Sequence, residues 1–165
     1  MMPKKSTSHM LPLIVVAVVV TAFVITFVPY IINKKPSIAD TSDSGELVFS
    51  TTEIGATASY FPVETKNGII EVFAVRAQDD SVRLALNTCQ VCNGSPYAYF
   101  VQTGDFFICQ NCGHAFATNS IGEESGGCNP VPITHDVYRE ENGIITIPAS
   151  FLEENAYRFV NWKQF

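Results

Sequence analysis

Four of the chain's five cysteines come as two pairs, Cys89 with Cys92 in CQVCNG and Cys109 with Cys112 in CQNCGH. The pairs are separated by 16 residues, inside the C-x2-C-x15-20-C-x2-C range of tetrahedral metal sites. Each Cys-x-x-Cys turn can aim two thiolates at one ion while its backbone amides donate to the sulfurs. Gly94 and Gly113 follow closely, where a tight turn calls for a positive φ. Thiolate softness narrows the ion to zinc, iron or copper(I). The closely spaced cysteine runs of ferredoxins are missing, so spacing alone favours a single zinc or iron over a cluster. Asn93 and Gly113 stand where covalent haem attachment needs histidine. The competing chemistry is disulfide formation or dithiol exchange, natural for an exported domain. An odd cysteine count leaves one thiol over, and a thioredoxin-type role lacks its βαβ setting.

The fifth cysteine, Cys128, sits in GGCNP, a loop with unusual backbone freedom. Its readings are an exchanging fifth ligand, a ligand to a second metal, a free thiol or a structural residue. His114 adjoins the second turn and is read as an exposed or satisfied histidine that could also ligate or support a sulfur; for His135 the plain reading is stronger. All three methionines precede residue 11, so the rest of the chain offers no thioether copper site. No serine, histidine and acid spacing suggests hydrolysis, and no glycine loop suggests phosphate binding. No catalytic constellation is legible, so the expected role is more that of a binding protein than of an enzyme. Of the acidic pairs, Asp79-Asp80, Glu140-Glu141 and Glu153-Glu154 read as solvated surface. Glu123 and Glu124, between Cys112 and Cys128, could meet a cation passing that loop.

The elements that must position these thiols are mostly strands. YFPVE and IIEVFAVR flank the Asn67-Gly68 hairpin signal, with Pro62 keeping the first strand at an edge. VRLAL follows a QDDS turn, and YAYFVQ and FFI flank Thr103, Gly104 and Asp105. Val137 to Glu140 and Ile144 to Ile147 flank a second Asn-Gly turn. ASFLEEN, after Pro148, is the single short helix. The fold class is mainly β: a small meander of hairpins with two Cys-x-x-Cys metal-knuckle turns and a short C-terminal helix, preceded by one transmembrane helix. A sheet this small gains from a metal staple.

Residues 10–32 carry no charge and, as a helix of 23 residues, would rise about 34 Å, enough for a hydrocarbon core of roughly 30 Å. They read as an uncleaved signal anchor, longer than a signal-peptide core, although Ser37, Ile38 and Ala39 form a small-x-small triplet. Lys4 and Lys5 face Lys34 and Lys35 across the span, and the free amine tips the N-terminus inward. The expected organisation is a cytoplasmic N-terminus over 1–9, a span over 10–32, a flexible stalk over 33–46 and an extracytoplasmic metal-binding domain over 47–165. All 16 acids follow Lys35 against six bases, so this part carries 6 − 16 = −10. That charge argues against nucleic acid or anionic lipid as partner.

Together, RLALNTCQVCNG, FFICQNCGHAF, NSIGEESGGCNPVPI and GIITIPASFLEENAYRF resemble the FtrD-like family of bacterial membrane iron-sulfur proteins, over roughly residues 50–159. The resemblance implies a membrane-associated protein of bacterial iron uptake, with an iron or iron-sulfur cofactor and Cys89, Cys92, Cys109, Cys112 and Cys128 at the family's cysteine positions. Some relatives carry this domain on a polytopic protein, whereas a single span forms no permeation path, so the expected role is to hand electrons or iron to a membrane iron transporter or redox partner. The four paired cysteines would be the principal ligands and Cys128 an auxiliary one. The alternatives are a structural zinc-ribbon-like interaction module and a dithiol redox protein.

Overall fold

The computed structural model describes residues 39–42, 44–123 and 125–164. It is mainly β, with eleven strands in three sheets and one short α-helix among the described residues. The central sheet has the order β3-β4-β5-β9, built from β3 (Ser59–Thr65), β4 (Gly68–Arg76), β5 (Val82–Cys89) and β9 (Pro130–Pro132). A second sheet, β1-β2-β11-β10, joins β1 (Ala39–Thr41) and β2 (Leu47–Ser50) to the hairpin of β10 (Arg139–Glu141) and β11 (Ile144–Ile147). The third is β6 (Phe100–Thr103), β7 (Phe106–Cys109) and β8 (Ala115–Ala117), all antiparallel. Helix α1 (Ala149–Asn155) runs into a 3-10 turn over Ala156–Phe159.

Alternation along the central strands explains the layering. Ile70, Val72, Ala74, Leu84 and Leu86 fall on one face, in a core shared with Leu47, Phe49, Ile145, Ile147, Leu152 and Phe159. Phe73, Val75 and Ala85 fall on the other, in a second core with Phe100, Phe107, Ile121, Cys89 and Cys109. Strand side chains alternate between faces, so a strand buried on both reads as a continuous apolar run, as β4 and β5 do. Phe73 stacks on Phe107 at 4.6 Å between ring centroids, joining the central sheet to the third. The second core ends in thiols.

The two Asn-Gly turns behave differently. In the β10–β11 hairpin Glu141 pairs with Ile144, and the connecting Asn142 and Gly143 have φ of 52° and 74°, the left-handed pair that a two-residue type I′ loop needs. In the β3–β4 hairpin Thr65 pairs with Gly68, so the loop is Lys66-Asn67 and only Gly68 has a positive φ, 119°. The hairpin forms where expected, but its turn is set one residue earlier, where the Thr65 hydroxyl donates to the Gly68 carbonyl at 2.6 Å.

Other differences are local. Strand β6 begins at Phe100 rather than Tyr97, because Tyr97 to Tyr99 turn back onto the first cysteine pair. Strand β1 lies within the segment read as a stalk and pairs with β2 through its backbone. The meander expectation is refined to three sheets, because β9 and β2 pair with strands distant in sequence. No helix among the described residues is long and apolar enough to cross a membrane. The expected span at 10–32 and the cytoplasmic segment before it lie outside those residues.

Candidate metal centre

Both cysteine pairs begin on the last residue of a strand, Cys89 on β5 and Cys109 on β7. Each strand end is followed by a turn of the same form: the amide of Asn93 donates to the Cys89 carbonyl at 3.0 Å, and that of Gly113 to the Cys109 carbonyl at 2.9 Å. Gly94 and Gly113 take φ of 94° and 73° to let the chain leave the turn. Inside each turn the amides point at sulfur. Cys89 Sγ accepts from Val91 and Cys92, the latter at 3.3 Å, and Cys109 Sγ accepts from Asn111 and Cys112. Amide donors favour the charged form of a thiolate, as a metal ligand requires.

The turns meet because the chain between them doubles back. Phe100 pairs with Cys109, the Cys89 amide donates to the Ala98 carbonyl at 3.0 Å, and the Gln110 amide donates to Tyr99 at 2.8 Å. The Ser95 hydroxyl donates to Asn111 Oδ1 at 2.7 Å, tying one turn to the other.

Cys128 arrives from a third direction. Strand β9 pairs Pro130 with Cys89 across a bulge in β5, which carries the GGCNP loop to the first turn. Gln90 fastens it: its amide donates to the Asn129 carbonyl, its Nε2 to the Pro130 carbonyl, and its Oε1 accepts from the Ser125 hydroxyl and the Gly126 amide. The Cys89 thiol in turn donates to the Cys128 carbonyl at 3.4 Å.

As a result, the sulfurs of Cys89, Cys92, Cys112 and Cys128 all lie within 4.8 Å of one another. Three of the four paired cysteines are in this set; Cys109 lies outside it, near Cys112. Cys89 and Cys109 are buried, Cys92 and Cys128 half-buried, and Cys112 exposed. Burial pushes the thiols of Cys89 and Cys109 above the ordinary range against the pull of their amides. Cys128 is raised chiefly by its hydrogen bond with Cys112 and then by desolvation. Desolvation also raises Cys112, but the His114 amide and the thiols of Cys109, Cys128 and Cys92 outweigh it and leave Cys112 below the usual value. Loading a metal displaces protons from the thiols that become ligands, and burial makes that of Cys89 the costlier to remove.

His114 contributes backbone rather than imidazole: its amide faces Cys112 Sγ, its carbonyl accepts from the Cys109 amide at 2.9 Å, and its ring lies tilted beside Phe116. His135 is exposed and its Nδ1 lies 2.7 Å from the Tyr138 hydroxyl. Glu123 is ion-paired with Arg83, which counters its expected role as a cation contact. Its neighbour Glu124 lies outside the described residues.

Support for the site comes from residues that motif reading passed over. Asn87, fully buried, donates from Nδ2 to Glu71 Oε1 at 2.6 Å and accepts the Phe100 amide on Oδ1 at 2.7 Å. Its carbonyl accepts Trp162 Nε1 at 2.8 Å, and Lys163 Nζ lies 3.0 Å from Glu71. The C-terminal segment thereby clasps the first turn, with the Lys163 amide on Pro96 and Asn161 Nδ2 on Gly94. The signal was an asparagine interrupting the apolar run of β5, two residues before Cys89. Alanine at Asn87 leaves the Phe100 amide without a buried partner and Glu71 with Lys163 alone, and the expected cost is about 3 kcal/mol in denaturant unfolding; a loss within 0.5 kcal/mol (about the scatter of a surface change) would mean that water replaces the amide.

No curated protein matches the chain. A family model does, over residues 55–159, which span all five cysteines, the whole of the central and third sheets, the β10–β11 half of the second, and the helix. Its description is "Membrane iron-sulfur containing protein FtrD-like", and the chain belongs to that family.

Proposed function

We propose that this is a single-span membrane protein whose acidic β domain lies outside the cytoplasm, holds iron through cysteine thiolates, and passes electrons or iron to a membrane iron-uptake system. The observation that carries the reading is the convergence of Cys89, Cys92, Cys112 and Cys128 within 4.8 Å, with amides aimed at the sulfurs. The donor set suits iron, because thiolates bind it softly and N–H···S contacts stabilise the charge that the centre accumulates. Thiolate-bound iron supplies one-electron chemistry. The spacing also bears on nuclearity: thiolates about 2.3 Å from one ion form a tetrahedron with edges of about 3.8 Å, inside the 4.8 Å within which these four sulfurs lie.

The chain's own residues determine what the centre can reach. Cys89 and Cys109 lie against Phe100 and Phe107, which keep water from the inner side. Cys112 and Val91 are exposed, so the outer side faces a partner. The span at 10–32, with Lys4, Lys5, Lys34 and Lys35 at its ends, would keep that partner within reach in the membrane.

The test is metal content and visible absorption of the full chain, purified in detergent without oxygen. Stoichiometric iron with thiolate-to-iron bands that bleach on reduction supports the reading. A colourless protein with one zinc per chain would sink it, and the compact sulfur set would then favour a structural zinc module.

A further inference from the structure

The centre offers five thiols where a tetrahedral ion takes four. Two four-sulfur sets share Cys89, Cys92 and Cys112, one completed by Cys109 and the other by Cys128. Cys109 is built as a ligand: it closes β7, is buried, and receives the amides of Asn111 and Cys112 on its sulfur, as Cys89 does in the first turn. Yet Cys128, and not Cys109, completes the set within 4.8 Å. The thiols of Cys109 and Cys128 both act on that of Cys112, so Cys112 is near each of them. The two candidates differ in setting. Cys109 is fixed in a strand, whereas Cys128 follows Gly126 and Gly127, with φ of 100° and 58° and open space where a Cβ would lie.

We propose that Cys109 and Cys128 alternate as fourth ligand to one soft divalent ion, so that the ion enters and leaves by the Cys112–Cys128 edge and is secured when Cys109 takes over. In the inward step the metal bond to Cys109 Sγ forms as that to Cys128 Sγ breaks. The Cys109 thiol gives up its proton and the Cys128 thiolate takes one from solvent, so charge balances and no electron moves. An outer ligand on a loop and an inner one at a strand end give the ion a path without ever leaving it three-coordinate. The proposal rests on the thiolates holding a metal, but not on that metal being iron.

The test uses the full chain in detergent with Co2+ as the probe, because its thiolate charge-transfer intensity counts coordinated sulfurs. Wild type, Cys128→Ser and Cys109→Ala should each bind one Co2+ with a four-thiolate spectrum. In loaded wild type a small alkylating reagent should modify Cys128, which is free whenever Cys109 is bound. In loaded Cys109→Ala the same thiol should be protected, being the only remaining fourth ligand. A three-thiolate spectrum in either variant would make the missing sulfur a fixed ligand and overturn the alternation. So would full protection of Cys128 in loaded wild type, a result independent of how well any variant folds. Wild type that binds no Co2+ would overturn the metal reading itself.

Discussion

Serine at Cys89 should strip the protein of its metal and lower its melting temperature more than any other single cysteine change. Cys89 belongs to both four-sulfur sets, so its loss leaves each of them one ligand short. Its sulfur closes β5, accepts two amides of its own turn and sits fully buried in the second core. A serine oxygen is a harder and poorer ligand for the ions that thiolates select. Structural zinc in small domains contributes roughly 10–16 kcal/mol of apparent folding free energy. Here two apolar cores already support the sheets, so part of the fold should outlast metal loss. Metal analysis and thermal unfolding check this, with chelated wild type as the reference. The variant should match that reference or fall below it, because the buried hydroxyl adds its own desolvation cost. Cys112→Ser, altering an exposed sulfur, should lose metal yet melt with the chelated wild type. Full metal occupancy in Cys89→Ser would remove Cys89 from the ligand set.

What could be read from the sequence follows the range of the interactions involved. Hairpins between neighbouring segments, such as β6–β7 and β10–β11, announce themselves through alternation and turn residues, and α1 through Pro148 and a short helical run. Strand β9 does not: Pro-Val-Pro reads as a break, and it becomes a strand only at the edge of the central sheet, where the missing amides face no partner. Strand β8, three residues ending in Ala117, has no pattern long enough to see. The same division runs through the metal centre. The two Cys-x-x-Cys turns are local and their spacing is legible. The placement of Cys128 beside Cys89 depends on β9 and on Gln90, both long-range effects, so its proximity to the first turn was not legible in the motif. The buried Asn87–Glu71–Lys163 network was hidden for the same reason: Lys163 is 92 residues from its carboxylate.

Truncating Phe107 to alanine tests whether packing and metal binding are one structure or two. Phe107 is fully buried, stacks on Phe73 of the central sheet, and pairs with Phe116 of β8. It also lies two residues before Cys109, so strand alternation puts both side chains on the same inward face of β7. Loss of a buried phenylalanine ring costs about 3–5 kcal/mol. Denaturant unfolding of the metal-free protein should register that cost. The neighbouring Phe106, half exposed on the opposite face, should tolerate alanine within about 0.5 kcal/mol. The metal readout carries the argument further. If the third sheet is what holds Cys109 and Cys112 against Cys89, then Phe107→Ala should also speed metal loss to a chelator, while Phe106→Ala leaves it unchanged. A destabilised variant that keeps its metal as wild type does would mean that Ser95 to Asn111, Gln90 and the backbone bonds of the two turns hold the thiols together on their own, and the sheets beneath would be a support for the domain rather than for the site.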